Sequence, residues 1–262
     1  MSNLLSYTVT KPERCFRIPD SVSRIGGEAF SGSSLEKIFL PENLKIIEHL
    51  AFSGCRSLRD INIPENIVNL SSMTFLQCTS LRNIDIPLSA ISISNFCFDG
   101  CTALESVKMP FNIKIGETSF MHCSSVKNLT LFDDKYTLSI HTQKNIRYCD
   151  MKKILSFFQN GFSEEIFSSI KRFDCKLPIA LFVLHQFEID FCYKYVKKNI
   201  RKAVRYLIDE DNAEILDKIL FLRLVSTKYI DEMIEYAEKS ERLHMRDIME
   251  AYKIMNKLYR NS

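Results

Sequence analysis

Hydrophobic and polar residues follow one repeating pattern from Phe16 to Leu131. In each repeat a short apolar–polar–apolar segment ends at a proline, a second apolar run follows, and a small residue then precedes a phenylalanine. The prolines recur at steps of 22 or 23 residues, and so do the phenylalanines. They are Pro19, Pro41, Pro64, Pro87 and Pro110, and Phe30, Phe52, Phe75, Phe98 and Phe120. Two residue types that keep one period indicate a repeat architecture.

The segment before each proline alternates with period two, as a half-buried β-strand does. These predicted strands are residues 16–18, 38–40, 61–63, 84–86, 107–109 and 129–131. Proline ends the first five because it has no N–H to donate to a strand ladder. A second short strand is predicted after each proline, at 22–25, 44–47, 67–70, 91–93 and 113–115, and 136–140 is expected to be a sixth and last copy.

Repeats of 20–29 residues that each hold a short apolar strand are typical of leucine-rich-repeat solenoids. The unit Phe52-Ser-Gly-Cys55-Arg-Ser-Leu58-Arg-Asp-Ile61-Asn-Ile63-Pro64 resembles the BspA-like leucine-rich repeat at every position that defines that family. The resemblance covers about residues 15–140. It implies stacked coils, each with its phenylalanine turned into the interior, in a family whose surface-exposed members are associated with adhesion.

After about Asn145 the apolar spacing changes to three and four residues, which predicts helices. The predicted fold class is therefore α+β: a leucine-rich-repeat β-solenoid of about five to six 22–23-residue coils, followed by an α-helical domain of stacked helix pairs. The expected domains are residues 1–144 and 145–262. The segment 203–220 resembles a degenerate ankyrin-type helix pair, and 237–252 resembles a second, damaged copy.

Composition adds few constraints. The net charge of +3 lies wholly after residue 145, and the chain has no run of eighteen apolar residues and no basic-then-apolar signal segment at its start. Nine cysteines form an odd set without a CxxC pair, which favours reduced thiols and a cytoplasmic location. We therefore expect no membrane association. The oligomeric state stays open.

The sequence offers no motif for catalysis. Four cysteines recur once per repeat, which places their sulfurs in a line that neither a tetrahedral zinc site nor a disulfide accepts. They are Cys55, Cys78, Cys101 and Cys123, and we interpret them and the other five cysteines as small buried hydrophobes. The five histidines match no metal motif, and His185 is expected to be a satisfied core residue. We predict no catalytic residue, no metal and no cofactor.

A basic segment, residues 194–205, carries six lysines and arginines and no acidic residue. It offers an alternative function, binding of nucleic acid through a basic helix. Val196, Ile200 and Val204 interrupt the charges at helical spacing, so the solvated face of an amphipathic helix is the preferred interpretation. A third possibility, an enzyme site at the junction of the two domains, has no motif behind it.

The outward positions of the predicted strands form rows of varied polar side chains. Such rows on a rigid solenoid are suited to recognition of a protein surface. The chain is accordingly predicted to be a non-enzymatic protein–protein interaction module with an unidentified protein partner, and nucleic acid is not the expected partner. The candidate partner-binding residues are Lys37, Phe39, Asp60, Asn62, Asn83, Asp85 and Lys108. Phe39 stands out because it is an apolar ring in a polar row.

Overall fold

The computed structural model describes residues 2–4 and 14–258. Its contacts divide the chain into two compact units, Met1–Cys175 and Lys176–Ser262. Strands give way to helices between His141 and Tyr148, but the first helices belong to the first unit. The domain boundary expected at residue 145 stays a prediction.

The first unit is a β-solenoid of about five turns, as the repeats predicted. Its strands are β1 (Ser2–Leu4), β2 (Cys15–Arg17), β3 (Val22–Ile25), β4 (Lys37–Phe39), β5 (Ile46–Ile47), β6 (Asp60–Ile61), β7 (Asn69–Leu70), β8 (Asn83–Asp85), β9 (Ser92–Ile93), β10 (Ser106–Pro110), β11 (Lys114–Ile115), β12 (Asn128–Phe132) and β13 (Thr137–His141).

Two sheets run along the solenoid. The first sheet contains the strand that precedes each proline, as the parallel ladders β2-β4-β6 and β8-β10-β12, while the second contains β1-β3-β5 and β7-β9-β11. Between the sheets the chain turns at proline: the carbonyls of Pro19, Pro41, Pro64 and Pro87 each accept a hydrogen bond of 3.0 Å from the N–H three residues later. The first predicted strand row is confirmed in all six copies, and the second in its first five.

A column of phenylalanine rings fills the solenoid. Phe30, Phe52, Phe75, Phe98 and Phe120 are each at most 1% exposed. Successive ring centroids lie 5.0–5.4 Å apart with interplanar angles of 5–13°. The backbone between coils is bonded at the same level, for example from Phe75 N to the Cys97 carbonyl at 2.8 Å. The stacked rings and the backbone hydrogen bonds between coils therefore both recur once per coil.

The turn that carries each phenylalanine needs left-handed backbone. The second residue after the ring has φ between +57° and +72° in all five coils, and glycine occupies three of these positions: Gly32, Gly54 and Gly100. Gln77 and His122 occupy the other two. Left-handed backbone costs an L-residue roughly 1–2 kcal/mol, which explains the recurrence of glycine.

The expectation that residues 136–140 form a sixth copy of the second strand is wrong. The chain reverses after β12, and β13 pairs with it antiparallel, with Leu131 opposite Leu138. No proline follows Leu131, and the Asp133 carboxylate instead accepts hydrogen bonds from Lys135 N at 2.8 Å and Tyr136 N at 2.6 Å. This local turn closes a hairpin, so β13 ends the first sheet.

Two helices complete the first unit, α1 (Tyr148–Gln159) and α2 (Glu164–Ser169). Helix α1 covers the last coil: the Tyr148 ring lies 6.5 Å from that of Phe120, and Gln159 Nε2 donates to the carbonyls of Phe111 at 3.2 Å and Ile113 at 2.9 Å. The end of a repeat stack exposes an apolar face, and this helix supplies the cap that it requires.

The remaining helices are α3 (Phe173–Phe187), α4 (Asp190–Lys198), α5 (Ile200–Asp209), α6 (Ala213–Phe221), α7 (Thr227–Lys239) and α8 (Leu243–Leu258). In the second unit α5 packs on α7 and α6 packs on α8, which confirms stacked helix pairs. Asn212 caps α6, since its side chain accepts a hydrogen bond from Ile215 N at 3.1 Å. The ankyrin resemblance stays a prediction.

We expect Phe75→Ala to lower the free energy of unfolding by about 3–5 kcal/mol, because removal of the ring leaves a cavity between its two neighbours that the coils cannot close. Phe16→Ala should cost less, since its ring is only half-buried and tilted by 52° against Phe30. Urea unfolding of both variants measures the difference. Equal losses of stability would contradict a stacked column.

Gly54→Ala is expected to destabilise the protein by about 1 kcal/mol. The added Cβ meets no atom closer than 3.7 Å, so the cost comes from φ of +69° and not from a clash. Gly54→Asn is the matched variant, because asparagine tolerates left-handed backbone better than alanine does. Thermal unfolding should therefore rank Gly54→Asn above Gly54→Ala, and the reverse order would exclude backbone strain as the cause.

Candidate functional site

The candidate residues lie side by side on the outer face of the first sheet. Register places Lys37 opposite Asp60 and Arg17 opposite Phe39 at one end of this face, and Asp85 opposite Lys108 further along it. Ladder pairing is interrupted between β6 and β8, where Arg82 N reaches the Arg59 carbonyl at 3.5 Å.

Phe39 is the centre of a compact cluster. Its half-buried ring has the guanidinium carbon of Arg17 at 4.6 Å and the ammonium of Lys37 at 5.0 Å from the ring centroid. Lys37 also pairs with Asp60 at 2.9 Å. We call Arg17, Lys37, Phe39 and Asp60 the aromatic–charge cluster. Both cations contact the ring through its electron-rich face, which accounts for an apolar side chain in this polar row.

The other four candidate residues extend the same face. Asn62, Asn83, Asp85 and Lys108 are all exposed, and the Lys108 ammonium lies 5.0 Å from the centroid of the Phe132 ring. The sheet therefore brings together all seven side chains chosen from the sequence.

The predicted cysteine column is buried, as expected. Each thiol of Cys55, Cys78, Cys101 and Cys123 donates to the carbonyl of the phenylalanine one coil earlier, at 3.0–3.2 Å. Burial raises the pKa of Cys55 and of Cys123 to about 12. These groups stay protonated at neutral pH, when they are poor nucleophiles.

Not every cysteine is buried. Cys15 and Cys149 are exposed, so the interpretation of all nine as buried hydrophobes is wrong for these two. Cys15 occupies an outward position at the beginning of β2, and Cys149 lies on the solvent side of α1. The residues of an amphipathic element alternate in exposure, and a small apolar residue such as cysteine is tolerated on either side.

Comparison with protein families matches residues 11–127 to the BspA type leucine rich repeat region, in six copies. Residues 11–127 are a BspA-type leucine-rich-repeat region. The match agrees with the phenylalanine column, the proline turns and the cysteine ladder. Comparison with curated proteins gave no match.

Solved structures similar to this chain include a leucine rich cell surface protein from Faecalibacterium prausnitzii A2-165, with 31% identity over 51% of this chain and 36% of that chain, and a TM-score of 0.49. A Treponema pallidum leucine rich repeat protein has 26% identity over 48% of this chain and 62% of that one, with a TM-score of 0.46. A Bacteroides ovatus leucine-rich repeat protein has 31% identity over 44% and 36%, with a TM-score of 0.36. The chain spans less than two thirds of each of them.

Beyond the BspA-type region, the basic segment is not one helix. Asn199 separates α4 from α5, while Val196, Ala203 and Val204 are buried and all six cations are exposed. Part of this charge is engaged: Arg205 pairs with Glu232 at 2.7 Å, and the Arg201 guanidinium carbon lies 3.8 Å from the centroid of the Tyr229 ring. The arrangement is that of a solvated face of an amphipathic element.

His185 is less satisfied than the sequence suggested. Its Nε2 lies 3.1 Å from Glu214 Oε1, but the buried Nδ1 has no hydrogen-bond partner. Among the described residues no group of three or more histidine, cysteine, aspartate or glutamate side chains is arranged to hold a metal ion. None of the described helices combines the length and the apolar character that crossing a membrane requires.

Sequence reasoning missed an apolar surface on the BspA-type region, on and beside the second sheet. Its exposed members are Ile46, Val68, Leu88 and Ile91, at 37–59%. The signal was present, since Val68 and Ile91 are exposed apolar residues that directly follow the buried Ile67 and Ala90. The candidate residues came only from the outward positions of the first sheet, so this surface was not among them.

We expect a thiol reagent at neutral pH to label two of the nine cysteines of the native protein rapidly, Cys15 and Cys149. The others lie in the core, where burial raises the pKa of the thiols of the cysteine column. Mass spectrometry of the labelled peptides identifies the sites. The denatured protein should give the same full thiol count with and without prior reduction, and a lower count without reduction would indicate disulfides.

Proposed function

We propose that this chain is a non-enzymatic protein-interaction module and that the outer face of the first sheet binds its protein partner. Leucine-rich-repeat proteins generally mediate protein–protein interaction, because stacked coils present long, rigid rows of side chains. In this chain the column of five phenylalanines holds those rows in register.

The observation that carries the proposal is the aromatic–charge cluster. Aromatic residues and arginine are enriched at the centres of protein interfaces, where a ring supplies buried area at little entropic cost. Arg17 and Lys37 both lie over the Phe39 ring, and these contacts restrict its position before binding. The polar side chains of Asn62, Asn83 and Asp85 then offer hydrogen-bonding groups along the same face.

The absence of catalysis is part of the proposal. The column cysteines are unsuited to nucleophilic chemistry, because their thiols donate to backbone carbonyls and burial raises their pKa values. The odd number of cysteines, nine, supports a reducing compartment, and we place the module in the cytoplasm on that basis.

Nucleic-acid binding through the basic segment has less support. Glu232 lies within ion-pair distance of both Arg201 and Arg205, and Asp190 pairs with Lys194 at 2.6 Å. Carboxylates among the cations weaken attraction to a phosphate backbone, whose binding depends on the number of phosphates neutralised.

A test uses a random peptide library displayed on phage and selected against the full chain. The first-sheet variant carries Lys37→Glu, Phe39→Ala and Asp60→Lys, which inverts the ion pair and removes the ring. Selected peptides are expected to bind this variant at least about tenfold more weakly, a loss of about 1.4 kcal/mol. Fluorescence anisotropy with synthetic peptides measures the affinities.

Two control variants keep the experiment specific. One carries Val68→Ser and Ile91→Ser on the second sheet, and the other carries Lys197→Glu and Lys198→Glu in the basic segment. Exposed substitutions of this kind usually change stability by less than about 0.5 kcal/mol, which urea unfolding verifies. Peptides that keep their affinity for the first-sheet variant but lose it for either control would overturn the proposal.

A further inference from the structure

The second unit has an apolar groove that its own core does not use. The groove lies between α6 and α8 and has a volume of about 660 Å³. Its lining residues are Asp217, Leu220, Phe221, Arg223, Ile248, Ala251, Tyr252 and Met255. Soluble proteins seldom leave such a concave apolar surface uncovered unless it binds something.

The lining follows helical spacing on both sides. On α8 the groove is lined by Ile248, Ala251, Tyr252 and Met255. Met245 and Met249 of the same helix are buried in the core of the unit. Helix α8 therefore has a second apolar stripe, which adjoins its core stripe and lines the groove. Tyr252 belongs to both, because its hydroxyl donates to the Val225 carbonyl at 3.2 Å while its ring walls the groove.

Phe221 protrudes beside this groove. It is the last residue of α6, and its side chain is 79% exposed, whereas the preceding Leu220 is 2% exposed. The backbone at Arg223 has φ of +53°, the left-handed conformation that commonly follows the end of a helix. One surface thus has both a projecting aromatic ring and an apolar hollow.

The rim of the groove has one charge of each sign. Asp217 and Arg223 are both exposed and both line it, and among the described residues no ion pair joins either of them to another side chain. A two-fold contact sets unlike features of one patch against each other, and this patch has both a ring and a hollow, and both an acid and a base. Other partners have to supply these four features independently.

We propose that this groove is a homodimer interface, in which the Phe221 ring of each copy enters the groove of the other and Asp217 of each copy pairs with Arg223 of the other. The occupant is a second copy of this chain. The inference is independent of the function proposed for the first sheet, since it concerns only the described residues of the second unit.

Sedimentation velocity of the full chain at concentrations between 1 and about 100 µM tests this directly. The wild-type protein is expected to show a dimer at the upper end of the range. Phe221→Asp should raise the dimer dissociation constant at least about tenfold, since removal of a central aromatic anchor is costly. A wild-type protein that stays monomeric throughout would overturn the proposal.

Charge exchange identifies the second copy as the occupant. Asp217→Arg alone gives an entirely basic rim and Arg223→Asp alone an entirely acidic one, so each variant by itself should be monomeric. An equimolar mixture of the two should form a heterodimer, because both contacts then join an acid to a base, one in the wild-type arrangement and one reversed. Both substitutions are on the surface, and circular dichroism checks that the fold is kept. A mixture that remains monomeric, or single variants that still form dimers, would reject the proposed pairing.

Discussion

Stacking of one phenylalanine per coil is the constraint on which the first unit depends. The rings repeat at 5.0–5.4 Å, close to the 4.7–4.9 Å spacing of strands in a ladder, so side-chain packing and backbone hydrogen bonding favour the same distance between coils. The cysteine thiols reinforce it by bonding to the phenylalanine carbonyl of the preceding coil. Outward side chains such as Lys37 and Asp60 come into register because the inward ones are fixed.

Closure of the column at both ends matters as much as its interior. Phe16 tilts against the first ring, and Tyr148 on α1 lies against the last. The hairpin of β12 and β13 ends the first sheet with an antiparallel strand, which departs from the parallel repeat. An array of identical coils has no natural end, so these departures from the repeat determine its length.

The repeat was predictable because the residues that form the strands, the proline turns and the column of rings all recur with one period in the sequence. The reversal at Asp133 was not, since a missing proline indicates that the repeat fails without indicating what replaces it. The break at Asn199 was equally hidden, because the apolar spacing continues across it. The aromatic–charge cluster was half predictable: the row containing Phe39 follows from the period, but the contact of Arg17 with the ring depends on side-chain conformation. The groove between α6 and α8 could not be predicted, because the sequence does not show which apolar stripe of a helix the core leaves uncovered.

The central claim is that the rings make neighbouring coils open together, and hydrogen exchange tests it most directly. The N–H groups of Phe52, Phe75 and Phe98 each donate to a carbonyl of the next coil, at 2.8–2.9 Å. Replacement of the middle ring by Phe75→Leu should accelerate exchange at all three by a similar factor, because one shared opening exposes them. Acceleration confined to Phe75, with Phe52 and Phe98 exchanging as in the wild-type protein, would show that the coils open independently and that the column does not couple them.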